Sequence, residues 1–390
     1  MTFLTSPSGP NMSSAPLLVI STVGTSLLTH QLSLQDRTNG WERRLRDSAN
    51  LTQQELDPET KAKIDELAER ALSELIVSDI KRRRQLSAEL NGLYGIYEGN
   101  LPRSGRDMHF LQATDTYQGR ATAQVLREFL RSQGLTADIY IPSRLSALNT
   151  EAFSHGIKEL IRWCGECIPG YKDNGYHVVF NLVGGFKALH SYMHTIGMFY
   201  ADRLTYIFEG SDSLVNIPRL PVRIEDEVLI PYANYLLLME KGYLCPVHHL
   251  KDIPEAVIDS DGSHAFLSSW GHLLLDQLKK RILAERLLTF PHLTYAGSFQ
   301  DDFRRAEATD RIRVQEALAK VSKLLLEHNG SLAVLKSDTG LQYTDLVNER
   351  HSGRRIGHFR INDGMRVTCV STSDGLQLRR FGPHSVIENP

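Results

Sequence analysis

The residues best suited to chemistry gather at the end of this chain. Residues 350–390 hold seven arginines, no lysine, three acids and three histidines, a local charge of +4 in a protein whose net charge is −2. Arginine presents a planar fork of donors that matches phosphate oxygens two at a time, whereas lysine is a point charge. An all-arginine cluster interleaved with histidines has the composition of a surface that grips RNA backbone. Histidine titrates near neutrality, so His358 and His384 are the natural proton carriers. Arg360 and Arg366 suit charge stabilisation. The reaction such a set supports is strand cleavage by the 2′-hydroxyl. It needs a base for the hydroxyl proton, positive charge for the pentavalent phosphorane and an acid for the leaving 5′-oxygen. Arg379 completes the candidate set. Because side chains alternate along a strand, Arg379 and Arg380 are expected on opposite faces, with at most one in a given site. The competing reading is a solvated basic face whose histidines are satisfied structurally.

The elements that must position these residues are legible upstream. Residues 292–299 read as a strand. Residues 301–327 read as two helices or one bent helix, with Leu318, Val321, Leu324 and Leu325 forming an apolar stripe and Gly330 a C-cap. Strands are expected at 356–361, 365–371 and 376–381, joined by the turns Asn362-Asp363-Gly364 and Ser373-Asp374-Gly375. Strand, helices and antiparallel sheet make an α+β module over residues 291–390.

This order resembles the RelE superfamily of toxin ribonucleases. HFRINDGMRVTCV is similar to that family's central hairpin and LRRFGPHSVIE to its last strand and tail. The resemblance implies a small antiparallel sheet with N-terminal helices, and metal-independent cleavage of mRNA in the ribosomal decoding site. It places basic roles on His358, Arg360, Arg366 and His384. The tyrosine that many relatives carry near the C-terminus is missing here, since the tail reads VIENP.

The N-terminal half carries a different pattern. Residues 16–20 (PLLVI) run into Ser21-Thr22-Val23-Gly24-Thr25-Ser26, a buried strand feeding a loop of glycine and hydroxyl residues. Further strands are expected at 108–114, 137–142, 176–182 and 204–208, with helices at 119–131, 150–164 and 188–200 between them. Strands alternating with helices imply a parallel sheet, and doubly wound sheets bind ligands in the crevice at the strand ends. Backbone N–H groups at Gly184-Gly185 would hold phosphate with Lys187, Thr22, Thr25 and Ser26 would bond ribose or base, and Thr116 and Asn181 complete the expected ligand-binding set. Gly24 would let the first loop approach closely.

The pair STVGTS and NLVGGFK resembles the CARF domain, the CRISPR-associated Rossmann-fold sensor of cyclic oligoadenylates, over residues 14–225. The departure is a helical insertion at about 45–100, with the run Lys81-Arg82-Arg83-Arg84, read as a solvated helix face. The resemblance implies a Rossmann-like α/β domain with helices on both faces. It also implies a homodimer and a cyclic oligoadenylate activator, with cyclic tetra-adenylate favoured.

The domain expectation is then a disordered tail at 1–14, a sensor at 15–225, a helical connector at 226–290 and the ribonuclease-like module at 291–390. Four cysteines suit a reducing cytoplasm. Cys164 and Cys167 lack a second pair for zinc and read as ordinary thiols at a helix end, and no metal is expected. Cys369 reads as core. No apolar run spans a bilayer and no helix-turn-helix is legible, so neither membrane nor DNA is expected as partner. The expected partner is the ribosome with bound mRNA, because a chain of net charge −2 has little pull on naked RNA. The rival functions are an RNA- or ribosome-binding module that does not cut, and a ring nuclease that degrades its own activator.

Overall fold

The apolar run ahead of the first glycine loop folds as a strand buried at all but its first residue, β1 (Leu17–Thr22). The computed structural model describes residues 15–102, 105–208, 211, 213–221, 226–351 and 353–388. The expected tail at 1–14 and the last two residues lie outside these. The chain divides into two units, Met1–Val222 and Arg223–Pro390.

In the first unit β1 is followed by α1 (Ser26–Thr29), α2 (Leu34–Thr38), α3 (Trp41–Asp47), α4 (Pro58–Val77), α5 (Ile80–Leu86) and α6 (Ala88–Ile96). Then come β2 (Met108–Gln112), α7 (Tyr117–Ser132), β3 (Thr136–Tyr140), α8 (Thr150–Asp173), β4 (His177–Asn181), α9 (Lys187–Tyr200), β5 (Arg203–Ile207) and β6 (Leu214–Pro218). The sheet order is β3-β2-β1-β4-β5-β6. All neighbours are parallel except β5 and β6, which pair antiparallel. The chain leaves β1 toward one edge and returns at β4 on its other side, so the two glycine loops meet at the point where the strand order reverses.

The insertion is packed rather than merely solvated. The Arg83 guanidinium lies 4.9 Å from the Phe129 ring centre and its Nε donates to the Leu75 carbonyl at 2.8 Å, while Arg84 Nε donates to Asn91 at 2.7 Å. Lys81 and Arg82 are exposed, so only half of the basic run is a solvated face. The expected helix end at Cys164 is also corrected. α8 continues past both thiols to Asp173, because Ile168 still finds core beyond them and the proline at 169 is carried within the helix.

The second unit contains α10 (Ala233–Glu240), β7 (Cys245–Pro246), β8 (Ile258–Ser260), β9 (His264–Leu267) and α11 (Ser269–Glu285). They are followed by β10 (Leu293–Tyr295), α12 (Gly297–Arg305), α13 (Ala308–Glu327), α14 (Ala333–Ser337), β11 (Thr344–His351), β12 (Arg354–Arg360), β13 (Met365–Thr372) and β14 (Gly375–Pro383). A 3₁₀ segment, His384–Glu388, ends it. One sheet has the order β10-β14-β13-β12-β11, parallel at β10–β14 and antiparallel elsewhere; β7, β9 and β8 form a small second sheet.

The stretch read as a connector shares its core with the C-terminal module: Leu236, Leu278, Leu318 and Phe359 belong to one buried cluster. Gln315 ties the parts together. It is fully buried, accepts from Leu288 N and donates to the Leu283 and Arg286 carbonyls at 2.7–2.8 Å. The expected strand at 292–299 is only three residues long. At Ala296 it turns into α12, whose Phe299 and Phe303 bury against Phe381.

Candidate functional site

In the second unit the register decides which basic residues can cooperate. His358 on β12 lies opposite Thr368 on β13, which lies opposite Arg380 on β14. The next row along the same face is Arg360, Arg366 and Gly382. The alternate positions Phe359, Val367 and Phe381 are buried in the core, so the basic rows are on the far face. The asparagine turn holds this hairpin, with Asn362 Oδ1 accepting from Gly364 N and Met365 N at 2.9 and 3.0 Å. The 3₁₀ segment that begins at His384 then packs against β13 and β14.

The expectation that Arg379 and Arg380 occupy opposite faces does not hold. The β13–β14 register shifts between Thr368 and Cys369, so that Arg380 opposes Thr368 while Leu378 opposes Cys369. Arg379 is the extra residue of a bulge. Leu378 and Phe381 both face the core, and the two arginines fall together between them. Arg380 is anchored: its Nε and a terminal nitrogen donate to the Asp302 carboxylate at 2.7 and 3.2 Å.

His358 is half-buried, and burial, with the charges of Arg366 and His384 as further causes, holds its pKa below the ordinary histidine value. Its Nδ1 is buried without a partner among the described residues. Arg366 and His384 therefore both lie within electrostatic reach of His358. Arg366 rests on the hairpin turn, one terminal nitrogen donating to the Asn362 carbonyl at 2.7 Å, and Arg360 pairs with Asp363. His358, Arg360 and Arg366 on one face, with His384 in electrostatic reach of His358, can take a proton, supply one and stabilise negative charge between them.

In the first unit the crevice between the glycine loops is built differently from the sequence expectation. Thr22 is fully buried and its hydroxyl donates to the Gly184 carbonyl, cross-linking the two loops. Asn181 is equally buried and donates to Ser21 Oγ and to the Glu89 carbonyl, each at 3.0 Å. Thr116 caps α7 through Gly119 N at 3.1 Å. The Thr22 and Thr116 hydroxyls and the Asn181 amide nitrogen are spent on the fold, while Asn181 Oδ1 is buried with no partner among the described residues.

The residue missed is Glu89, from the inserted helix α6. It is 1% exposed, accepts from Gly24 N and Ser87 Oγ at 2.7 Å, and burial pushes its pKa up. A Cβ on Gly184 would lie 1.9 Å from its Oε1, which is why that turn position has no side chain. Gly185 has φ +107, a backbone state that glycine alone adopts without strain. His190, also missed, donates from Nε2 to the Gly184 carbonyl at 2.6 Å. No spacing in the sequence links residue 89 to loops at 24 and 184, so no motif could have found it.

Among the described residues, the Thr25 and Ser26 hydroxyls and the exposed Lys187 ammonium have no side-chain partner. Lys187 opens α9, whose N-terminus has no side-chain cap. Of the nine predicted ligand residues, these three keep side-chain polar groups for a ligand, while Gly24 has given its N–H to Glu89.

Residues 84–220 match the model of Cas_APE2256, a CRISPR-associated protein family. The CRISPR-associated match thus falls within the first unit. It covers β2 to β6 and the α9 turn, and begins inside the insertion.

Among solved structures, the chain is similar to YafQ from E. coli strain BL21(DE3), at 15% identity over 24% of this chain and 94% of that one, with a TM-score of 0.18. It is also similar to a chain of the E. coli DinJ–YafQ complex, at 19% identity over 24% and 94% of the two chains and a TM-score of 0.19. A third is a copper-bound mutant toxin from Helicobacter pylori, at 20% identity over 25% and 99% and a TM-score of 0.18.

Proposed function

We propose that this chain is a ligand-switched endoribonuclease of CRISPR-linked antiviral defence. The first unit is a sensor that binds a cyclic oligoadenylate, most simply cyclic tetra-adenylate on the two-fold axis of a homodimer. The second unit is a RelE-like nuclease that cuts mRNA held in the ribosome. The observation that carries the reading is the basic face of the β12–β13 hairpin. His358 and Arg366 lie on adjacent rows there, with His384 close enough to act on His358.

His358, neutral at physiological pH, takes the 2′-hydroxyl proton. Arg366, with Arg360 beside it, stabilises the phosphorane. His384 returns a proton to the 5′-oxygen. No metal enters this scheme. In the sensor, the ligand contacts fall to Thr25, Ser26, Lys187 and the open amides of α9. Thr22, Asn181 and Glu89 hold the loops that present them.

The test is mapping of mRNA 5′ ends in a bacterial translation extract, with and without cyclic tetra-adenylate. New ends confined to translated frames and dependent on the ligand are expected. Intact message with tri-, tetra- and hexa-adenylate rings alike would overturn the mRNA nuclease and leave the non-cutting, ribosome-binding reading and the ring nuclease.

A further inference from the structure

Beside the glycine-loop crevice, the inserted segment walls a second cavity of about 630 Å³. It opens at the end of β2, on the same edge of the parallel sheet as the two glycine loops, where open α/β sheets take ligands. Its size falls within the range of small-molecule sites, roughly 300–1,000 Å³. Gln53, Gln54 and Lys61 come from the insertion, Asp115 from the turn after β2, and Tyr117 and Arg120 from the first turn of α7.

The polar groups divide into two kinds. Asp115 is committed, pairing with Arg120 at 2.6 Å and accepting from Arg144 N at 2.8 Å. The Tyr117 hydroxyl donates to Asp65 at 2.5 Å. By contrast, the Gln53 and Gln54 amides have no partner among the described residues, and both are exposed. The Lys61 ammonium meets no carboxylate there and rests 5.6 Å from the Tyr117 ring centre.

We propose that this cavity is a nucleotide subsite for an adenine base and its phosphate, a proposal that rests on the nucleotide-sensing reading above and extends it. A glutamine amide donates and accepts in parallel, the geometry that matches adenine N7 and its exocyclic amine. The Tyr117 ring supplies an aromatic surface for the base. Lys61 supplies the point charge for phosphate. The adjoining groove between α4 and α7, lined by Asp65, Glu69 and Glu128, repels phosphate and so fixes which end it occupies. A base seated here would touch the insertion and the β2 turn at once, giving the insertion a direct part in ligand recognition.

The experiment is calorimetric titration of the full chain with cyclic tetra-adenylate and, separately, with 5′-AMP. The proteins compared are wild type, Gln53→Ala/Gln54→Ala and Lys61→Ala. Both glutamines are exposed, so an unchanged melting temperature is expected and checks folding. The expected result is ring binding weakened at least tenfold by the double variant and about fivefold by Lys61→Ala, with AMP binding by wild type alone. Equal ring binding by all three proteins, without AMP binding, would overturn the subsite and leave the sensing reading standing. AMP binding lost in the double variant, with no ring bound by wild type, would keep the subsite and overturn the cyclic ligand. Binding of neither compound by wild type would overturn both.

Discussion

His358 is the residue on which the proposed chemistry turns, and its environment sets a sign that can be measured. Burial is the first cause of its lowered pKa, followed by the positive charges of Arg366 and His384. A general base must be deprotonated, so cleavage should rise with pH through a limb centred below 6.5, the value at which an ordinary histidine titrates. Arg366→Ala removes one of the depressing charges. Its acid limb should move to higher pH while its maximal rate falls about 100-fold, as loss of a single charge-stabilising donor does elsewhere. Single-turnover rates on ribosome-bound message across pH 5–8 would show both, and a limb that stays in place would remove Arg366 from His358's surroundings. Arg380 should behave oppositely. Its guanidinium is spent on Asp302, whose side chain is 12% exposed. Arg380→Ala should cost about 2 kcal/mol of stability by stranding that carboxylate, with cleavage kept within a few-fold. Chemical denaturation beside the same rate assay separates the two arginines.

At the scale of elements, the glycine loops of the first unit depend on a buried acid from far away in sequence. Gly184→Ala would press a methyl group against Glu89 and the Thr22 carbonyl, at 1.9 and 2.8 Å before relaxation. The second neighbour is backbone and yields little, so the first unit should lose about 1–3 kcal/mol, the usual cost of overpacking. Thermal melting of the variant tests this, and an unchanged midpoint would mean that Glu89 moves aside freely. What the sequence revealed follows from the range of the forces involved. The five strands expected in the first unit appear because buried parallel strands are short apolar runs bounded by glycine or polar turns, a local signal. The Asn362-Asp363-Gly364 turn was equally legible, and it set the Arg360–Arg366 pairing. β6 and β11 went unseen. Both lie at sheet edges, and β6 carries Asn216 and Pro218, so neither has the apolar content of a central strand. The bulge at Arg379 was not legible because it is a property of pairing between two strands, not of either one. For the same reason Thr22, Thr116 and Asn181 looked like ligand groups. Their residue types fit a crevice, but only the fold shows that neighbouring groups already engage the Thr22 and Thr116 hydroxyls and the Asn181 amide nitrogen.

For the whole molecule, the proposal joins a binding event in one unit to chemistry in the other. A ligand moves such an equilibrium only by its preference for the active state. Variants in the two units should therefore fail in distinguishable ways. Lys187→Ala weakens ligand binding, and if the ammonium contributes about 1.4 kcal/mol the half-activating concentration rises about tenfold. The cleavage reached at saturating ligand should match wild type, since His358, Arg366 and His384 are untouched. His384→Ala should leave ligand affinity intact and lose cleavage at every ligand concentration. Titrating cleavage of translated message against cyclic tetra-adenylate for both variants, with ligand affinity measured separately, separates coupling from coincidence. If Lys187→Ala lowered the plateau without moving the midpoint, the ammonium would be reporting on the switch rather than on binding. If neither variant differed from wild type, the two units would not be joined as proposed. The net charge of −2 adds a constraint on how the assay is built. Phosphate contacts drive nonspecific RNA binding, and a near-neutral chain has few to offer beyond the local +4 at its end. Naked message should therefore be a poor substrate even with ligand saturating, and only the ribosome, by presenting one strand to the basic face, should bring the rate up.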